Sequence, residues 1–170
     1  MQFKYKKIIN DPVYGMINIP DGIIFDILEH PYFQRLRRIQ QLGLSSLVYP
    51  GATHSRFHHA LGAMHLMHTS LEVLKSKGHI ITEQECRSAV LAILLHDLGH
   101  GPFSHALEGV LIPNTPHEHI SMLLMQQLVN EFGDDITIAI QIFTDTYPKK
   151  YLHQLVSGQL DMDRLDYLNR

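Results

Sequence analysis

Apolar and polar positions alternate over Phe3–Ile9 and again over Tyr14–Ile19, with Asn10-Asp11-Pro12 between them, which predicts a short antiparallel strand pair. From residue 23 the period lengthens to that of a helix. Ile23, Ile24, Ile27 and Leu28 mark the face of a first helix that Asp21 can cap. Pro31 opens a second through Phe33, Leu36 and Ile39, ended by Gly43. Leu44–Ser55 reads as a loop. A long helix follows from Arg56 to about Lys77, with Leu61, Met64, Leu66, Met67, Leu71, Val73 and Leu74 as its apolar surface, and Gly78 stops it.

The capping box Thr82-x-x-Glu85 starts the next helix, which runs into the pair His96–Asp97. Because Ala89 to Leu95 is an unbroken apolar run, this helix is expected to be buried nearly all round. Glu108–Pro116 reads as a loop. Helices are then expected from His117 to Gly133, over Ile136–Phe143 with Asp134 or Asp135 as cap, and around Leu152–Val156. A last one begins near Gln159 and carries Asp161, Asp163, Asp166 and Tyr167. The fold class is mainly α, a helical bundle with a small N-terminal β-hairpin. Residues 1–45, the β element and two helices, are expected to pack on a core formed by residues 46–170.

With 170 residues, 45% of them hydrophobic, there is enough chain for one domain with a substantial core. The formal charge of −3 supplies no general attraction to nucleic acid or to an anionic membrane. Nucleic acid is thus a partner that charge does not support. The single cysteine, Cys86, excludes an internal disulfide framework and fits a reducing cytoplasm. The N-terminus lacks the apolar core of a signal peptide, and no apolar run is long enough to span a bilayer. The expectation is a cytoplasmic protein without a membrane partner.

Histidine changes the picture. There are 13, most of them between His54 and His119. The stretch from Ala92 to His105 ends an apolar helix in His96–Asp97, then delivers His100 and His105 into a loop broken by Gly99 and Gly101. Imidazole beside carboxylate suits a divalent cation of borderline hardness. A helix C-terminus that simply attracts histidine to its dipole accounts for one His and one Gly, but not for three His and an Asp in ten residues. Distant elements add His59 and Asp163. Two imidazoles and two carboxylates would leave an octahedral ion with positions open to water or substrate. Arg35, Arg37 and Arg38 form a basic cluster that reads equally as a solvated helix face or a phosphate site.

The ordered set Arg56-Phe57-His58-His59, His96-Asp97-Leu98-Gly99-His100-Gly101-Pro102-Phe103-Ser104-His105 and Asp161-Met162-Asp163-Arg164-Leu165-Asp166-Tyr167 resembles the HD-domain metal-dependent phosphohydrolases. Within them it is similar to the deoxynucleoside triphosphate triphosphohydrolase branch. Asn10-Asp11-Pro12, Phe33-Gln34-Arg35-Leu36-Arg37, Gln41-Leu42-Gly43 and Tyr49-Pro50-Gly51-Ala52-Thr53-His54 extend the resemblance over nearly the whole chain.

The resemblance implies one divalent metal ion (Mn, Fe, Ni, Co or Mg) held by His59, His96, Asp97 and Asp163, with His58 the alternative to His59. It implies catalytic roles for His100, His105, Glu108 and His117. His105 would be the general acid toward the departing sugar oxygen, His117 would orient it, and Glu108 would keep it protonated. For the nucleotide substrate it implies Arg56 on the α-phosphate, Gln41 and Leu42 on the deoxyribose, and Arg164 and Tyr167 on distal phosphates and sugar. The reaction implied is hydrolysis of a dNTP to deoxynucleoside and triphosphate. Two alternatives stand beside it: a phosphohydrolase of another nucleotide or phosphoester, and a non-catalytic module that senses nucleotide or single-stranded nucleic acid. Members of the branch continue beyond the position of Arg170. A C-terminal side that completes the pocket and a homo-oligomer is therefore expected, with weak activity in this fragment.

Overall fold

The N-terminal alternation becomes an antiparallel hairpin of β1 (Tyr5–Asp11) and β2 (Gly15–Pro20), with Ile9 opposite Ile17 and Asp11 opposite Gly15. The computed structural model describes residues 5–103 and 105–170, with the backbone alone at 108, 109 and 111. Phe3, the expected start of the first strand, lies outside the described residues. Alternation on β2 sends Ile17 and Ile19 into the core and leaves Met16 exposed. Asp11 closes the turn, its Oδ1 accepting from the backbone N–H groups of Val13 at 2.9 Å and Tyr14 at 3.1 Å.

Helix α1 (Ile23–Glu29) buries Ile24, Ile27 and Leu28. Its cap position is Gly22, not Asp21, whose Oδ1 instead accepts from the Gly22 N–H at 2.9 Å. The helix expected from Pro31 to Gly43 is broken in two. Four residues of α2 (Pro31–Gln34) pass into a 3₁₀ turn over Arg35–Arg38, and Ile39 is extended. Long-range bonding overrides the periodicity here: Gln40 bridges Ser55, the Arg56 N–H donates to Ile39 O, and the Gln41 N–H donates to His54 O. A second 3₁₀ turn, Gly43–Leu47, occupies part of the expected loop.

The long helix is α3 (Arg56–Ser76), and α4 (Glu83–Leu95) follows with both bonds of the predicted capping box made. Where a loop was expected from Glu108, the chain instead forms α5 (His105–Leu111). Gly109 reads as a breaker in sequence, but one helical glycine costs only about 1 kcal/mol. Gly133 separates α6 (His117–Phe132) from α7 (Asp134–Phe143) and is itself the cap of α7, so neither Asp134 nor Asp135 caps it. Then come α8 (Lys150–Val156) and α9 (Met162–Asn169). The last helix starts later than Gln159 because Asp161 caps it, accepting from the Arg164 N–H at 2.7 Å.

Helix α4 is the axis of the core. It packs against α3, α7, α8 and α1, and every residue from Ala89 to Leu95 is at most 1% exposed. Val90, Leu91, Ile93, Leu94 and Leu95 each contribute about 1.5–3 kcal/mol of burial. Helix α3 lies between α4 and α9. That packing brings the N-terminus of α3, the C-terminus of α4 and the N-terminus of α9 to one place. No helix among the described residues is long and apolar enough to cross a membrane.

Candidate active site

His59 sits in the first turn of α3 and is fully buried. Its neighbour His58 turns back on the helix start, where its Nδ1 accepts from the Ser55 N–H at 3.3 Å and lies 3.0 Å from Ser55 Oγ. Of the two histidines, His59 is the one that joins the cluster. Its Nδ1 donates to Asp166 Oδ2 at 2.7 Å. His96, at the C-cap of α4, donates from Nδ1 to Ile93 O at 2.6 Å. A carboxylate and a carbonyl only accept, so both rings carry a proton on Nδ1 and turn Nε2 to the same point.

Two carboxylates meet these Nε2 atoms. Asp163 Oδ1 lies 2.9 Å from His59 Nε2 and 3.6 Å from His96 Nε2. Asp97 reaches His96 Nε2 at 3.4 Å and His59 Nε2 at 3.7 Å. Neither Nε2 has a hydrogen-bond partner among the described residues. The 2.9 Å approach of Asp163 is therefore close without being aligned as a hydrogen bond, and convergence on a shared point describes it better. Neighbouring donors around an octahedral ion with bonds of about 2.1 Å stand about 3 Å apart. The residues fit such a divalent ion in type and spacing.

The electrostatics agree with the geometry. Burial opposes the charge of His96, but Asp97 and Asp163 outweigh it and push its pKa up to about 9. Burial also opposes the charge of His59, again outweighed by Asp163, Asp166 and Asp97. Asp97 and Asp163 resist burial and are held well below the carboxylate range, mainly by the histidines around them. Every direction says that this pocket favours added positive charge.

The loop after α4 is clamped from two sides. A Cβ on Gly99 would stand 2.0 Å from His117 O and 2.4 Å from Ser121 N, so only glycine lets α6 come this close. Ser121 Oγ accepts from the Gly99 N–H at 2.7 Å and donates to His96 O at 2.8 Å. Arg35 donates to the carbonyls of Leu98 and His100. Held this way, His100 stacks on His117 with ring centroids 3.7 Å apart, and His105 stands edge-on to both at 5.0 and 5.1 Å. Burial, Arg56 and His117 pull the pKa of His100 down to about 4 against the opposing pull of Asp97, so the ring is neutral at pH 7. His59, His96 and Asp163 gather one possible ligand atom each, and Asp97 gathers instead with His100 and His117, so Asp97 stands between the two groups at 3.4 Å from His96 Nε2 and 3.4 Å from His100 Nε2.

One cleft of about 380 Å³ joins these groups to the expected substrate side. Its wall includes Gln41, Leu42, Arg56, His105, Asp163 and Tyr167. Arg56 is buried and its Nη1 donates to Asp97 Oδ2. Gln41 Oε1 is held 2.9 Å from His54 Nε2. Arg164 does not line this wall and is exposed. The side chain of Glu108 lies outside the described residues. The basic cluster is no single surface either: Arg35 clamps the loop, Arg37 stacks 3.6 Å over the Phe57 ring and Arg38 faces solvent.

Four residues support the site in roles that the sequence reading did not give them: Arg35, Ser121, Asp166 and Arg170. Asp166 had a readable signal, one helical turn beyond Asp163. The partners of Arg35 and Ser121 are too distant in the chain to be read.

Comparison with known proteins agrees with the site. The HD domain family matches residues 56–170, and the chain belongs to that family. It is similar to a phosphohydrolase of Bacteroides thetaiotaomicron of known crystal structure, with 58% identity and a TM-score of 0.94 over 97% of this chain and 42% of the other. It is 35% identical to the deoxynucleoside triphosphate triphosphohydrolase SAMHD1 homolog of Dictyostelium discoideum, over 98% of this chain and 36% of that protein. With human SAMHD1 the identity is 40% over 75% of this chain and 21% of the relative. An uncharacterized protein of Bacillus subtilis, YwfO, is 36% identical over 97% of this chain and 39% of its own length. The chain thus spans about two fifths or less of these relatives.

Proposed function

We propose that this chain carries the catalytic site of a metal-dependent phosphohydrolase that cleaves dNTPs to deoxynucleoside and triphosphate. The observation that carries this reading is one cleft lined by His96, Asp97, Asp163, the buried Arg56 and the histidines His100, His105 and His117, with the buried His59 set against Asp163 at 2.9 Å. The triphosphohydrolase relatives favour a dNTP over other phosphoesters.

His59, His96, Asp97 and Asp163 would hold one divalent ion, which when bound polarises a phosphoryl oxygen and lowers the pKa of water. Arg56 offers its guanidinium to the α-phosphate while keeping its bond to Asp97. Water attacks the α-phosphorus and the bond to the 5′-oxygen breaks. His105 passes its proton to that oxygen, and His117, packed against it, sets its orientation. His100, neutral and immobilised, positions the phosphate without competing for the proton. Gln41, Leu42 and Tyr167 form the sugar side of the cleft. Glu108 keeps the role implied by the resemblance, beside His105. A homo-oligomer in the cytoplasm, with residues 1–45 packed on the catalytic core, belongs to the same proposal.

Separation of the products of dATP, dGTP, dCTP and dTTP by anion exchange tests it. Nucleoside and intact triphosphate are expected. Monophosphate with pyrophosphate would mean that the α–β link and not the bond to the 5′-oxygen is broken, and binding without turnover in the metal-loaded protein would make the site a sensor.

A further inference from the structure

The matched HD segment begins at Arg56, but the polar chain that holds His59 runs out of it. Asp166 Oδ2 accepts from His59 Nδ1 at 2.7 Å and from Arg170 Nε at 2.7 Å. Arg170 Nη1 lies 3.1 Å from Asp11 Oδ2, on the hairpin. The other Asp11 oxygen closes the hairpin turn. The side chains of Asp166 and Asp11 are fully buried and that of Arg170 is 2% exposed. Burying two carboxylates and a guanidinium is costly, and it returns little to stability unless the geometry serves something else.

Helix α3 is adapted to this chain. Gly62 stands on the face of His59, three residues on. A Cβ there would lie 1.9 Å from Asp166 Oδ1, 2.3 Å from Arg170 Nη2 and 2.7 Å from Tyr14 Cε2. A glycine inside a helix costs about 1 kcal/mol relative to alanine, and here the space it leaves is filled by the ionic chain. A carboxylate behind a ligand histidine fixes its tautomer and orientation and makes its free nitrogen a better donor.

We propose that Asp166, Arg170 and Asp11 are positioning residues that aim the His59 imidazole at the cation, so that the N-terminal hairpin is part of the support of the metal site. This rests on the cation-binding reading above.

The test titrates the full chain with Mn²⁺ alone, following free ion by electron paramagnetic resonance, and records the His59 tautomer by ¹⁵N NMR in the metal-free protein. Wild type binds and H59A does not. D166N weakens binding about 10–100-fold and erases the Nδ1–H signature of His59. D11N shifts both in the same direction by less, and R170K retains more affinity than R170M. A merely structural role would lower the melting temperature while leaving Mn²⁺ affinity and tautomer unmoved, and that result in D166N and D11N overturns the proposal. Should D166N fail to fold, D11N and G62A decide by the same two readouts. If wild type and H59A bind Mn²⁺ equally, the cation reading falls and takes this proposal with it; loss in H59A without loss in the positioning variants removes this proposal alone.

Discussion

The two ends of α4 make the same demand and meet it differently. Both close a buried apolar helix with ionisable groups. At the N-terminal end Glu85 accepts from the Thr82 N–H at 2.8 Å, the Tyr147 hydroxyl at 2.9 Å and Lys149 Nζ at 2.7 Å, and Lys149 also donates to Ile80 O. The chain supplies each of these partners itself. At the C-terminal end, His96 and its companion His59 turn their Nε2 atoms to a common point, and these atoms find no hydrogen bond among the described residues. A polar cluster closed by its own chain is architecture. One whose donors converge without closing calls for something from outside.

That contrast is open to attack by substitution. The largest effect is expected from D97A, which removes a carboxylate from the C-terminal cluster: metal content and turnover should both vanish, while E85Q keeps both. Stoichiometric metal in purified D97A would place the centre elsewhere. Next, H105A should retain metal and lose about 10²–10⁴ in kcat, with a smaller loss on a nitrophenyl phosphodiester whose leaving group needs no proton. Equal losses on the two substrates would assign His105 to positioning.

Smaller effects concern stability. G99A drives a methyl into the backbone of α6 and should cost about 3 kcal/mol by denaturant unfolding, with the His100–His117 stack displaced. E85Q should cost about 1.5–3 kcal/mol at neutral pH, the value of hydrogen bonds to a charged group. Burial resists the charge of Glu85, but Lys149, the Thr82 N–H and Tyr147 outweigh it and hold its pKa below the usual 4.5. The folded state therefore binds this proton less readily than the unfolded chain does. The Glu85 contribution is complete above about pH 4.5 and is lost as pH falls through the lowered value, so the gap between wild type and E85Q should close only in acid. A gap that is unchanged at low pH would mean that charge is not what Glu85 supplies.

Legibility followed the range of the interactions. The capping box at Thr82, the apolar run of α4 and the hairpin are local patterns, and they appear where the sequence puts them. The helix after Pro31 broke because residues 39–41 pair with residues 54–56, which no local period encodes. At the site, the motif residues named the cluster, but convergence is a property of packing: His59 and Asp166 are 107 positions apart. The choice between His58 and His59 turned on the helix start at Ser55, which engages His58. Arg35 read as solvated charge or a phosphate site because its acceptors are backbone carbonyls 63 and 65 residues away, and a carbonyl leaves no mark in a sequence.

The Arg35 clamp bears on what can be transplanted. A segment cut at Arg56 would carry all four proposed cation ligands and all three clustered histidines, yet it would leave behind the guanidinium that holds Leu98 and His100 in place. A designer grafting the HD segment onto another scaffold would import the reagents without the jig. The smallest portable unit starts upstream of α2, and recombination that respects function must cut there as well.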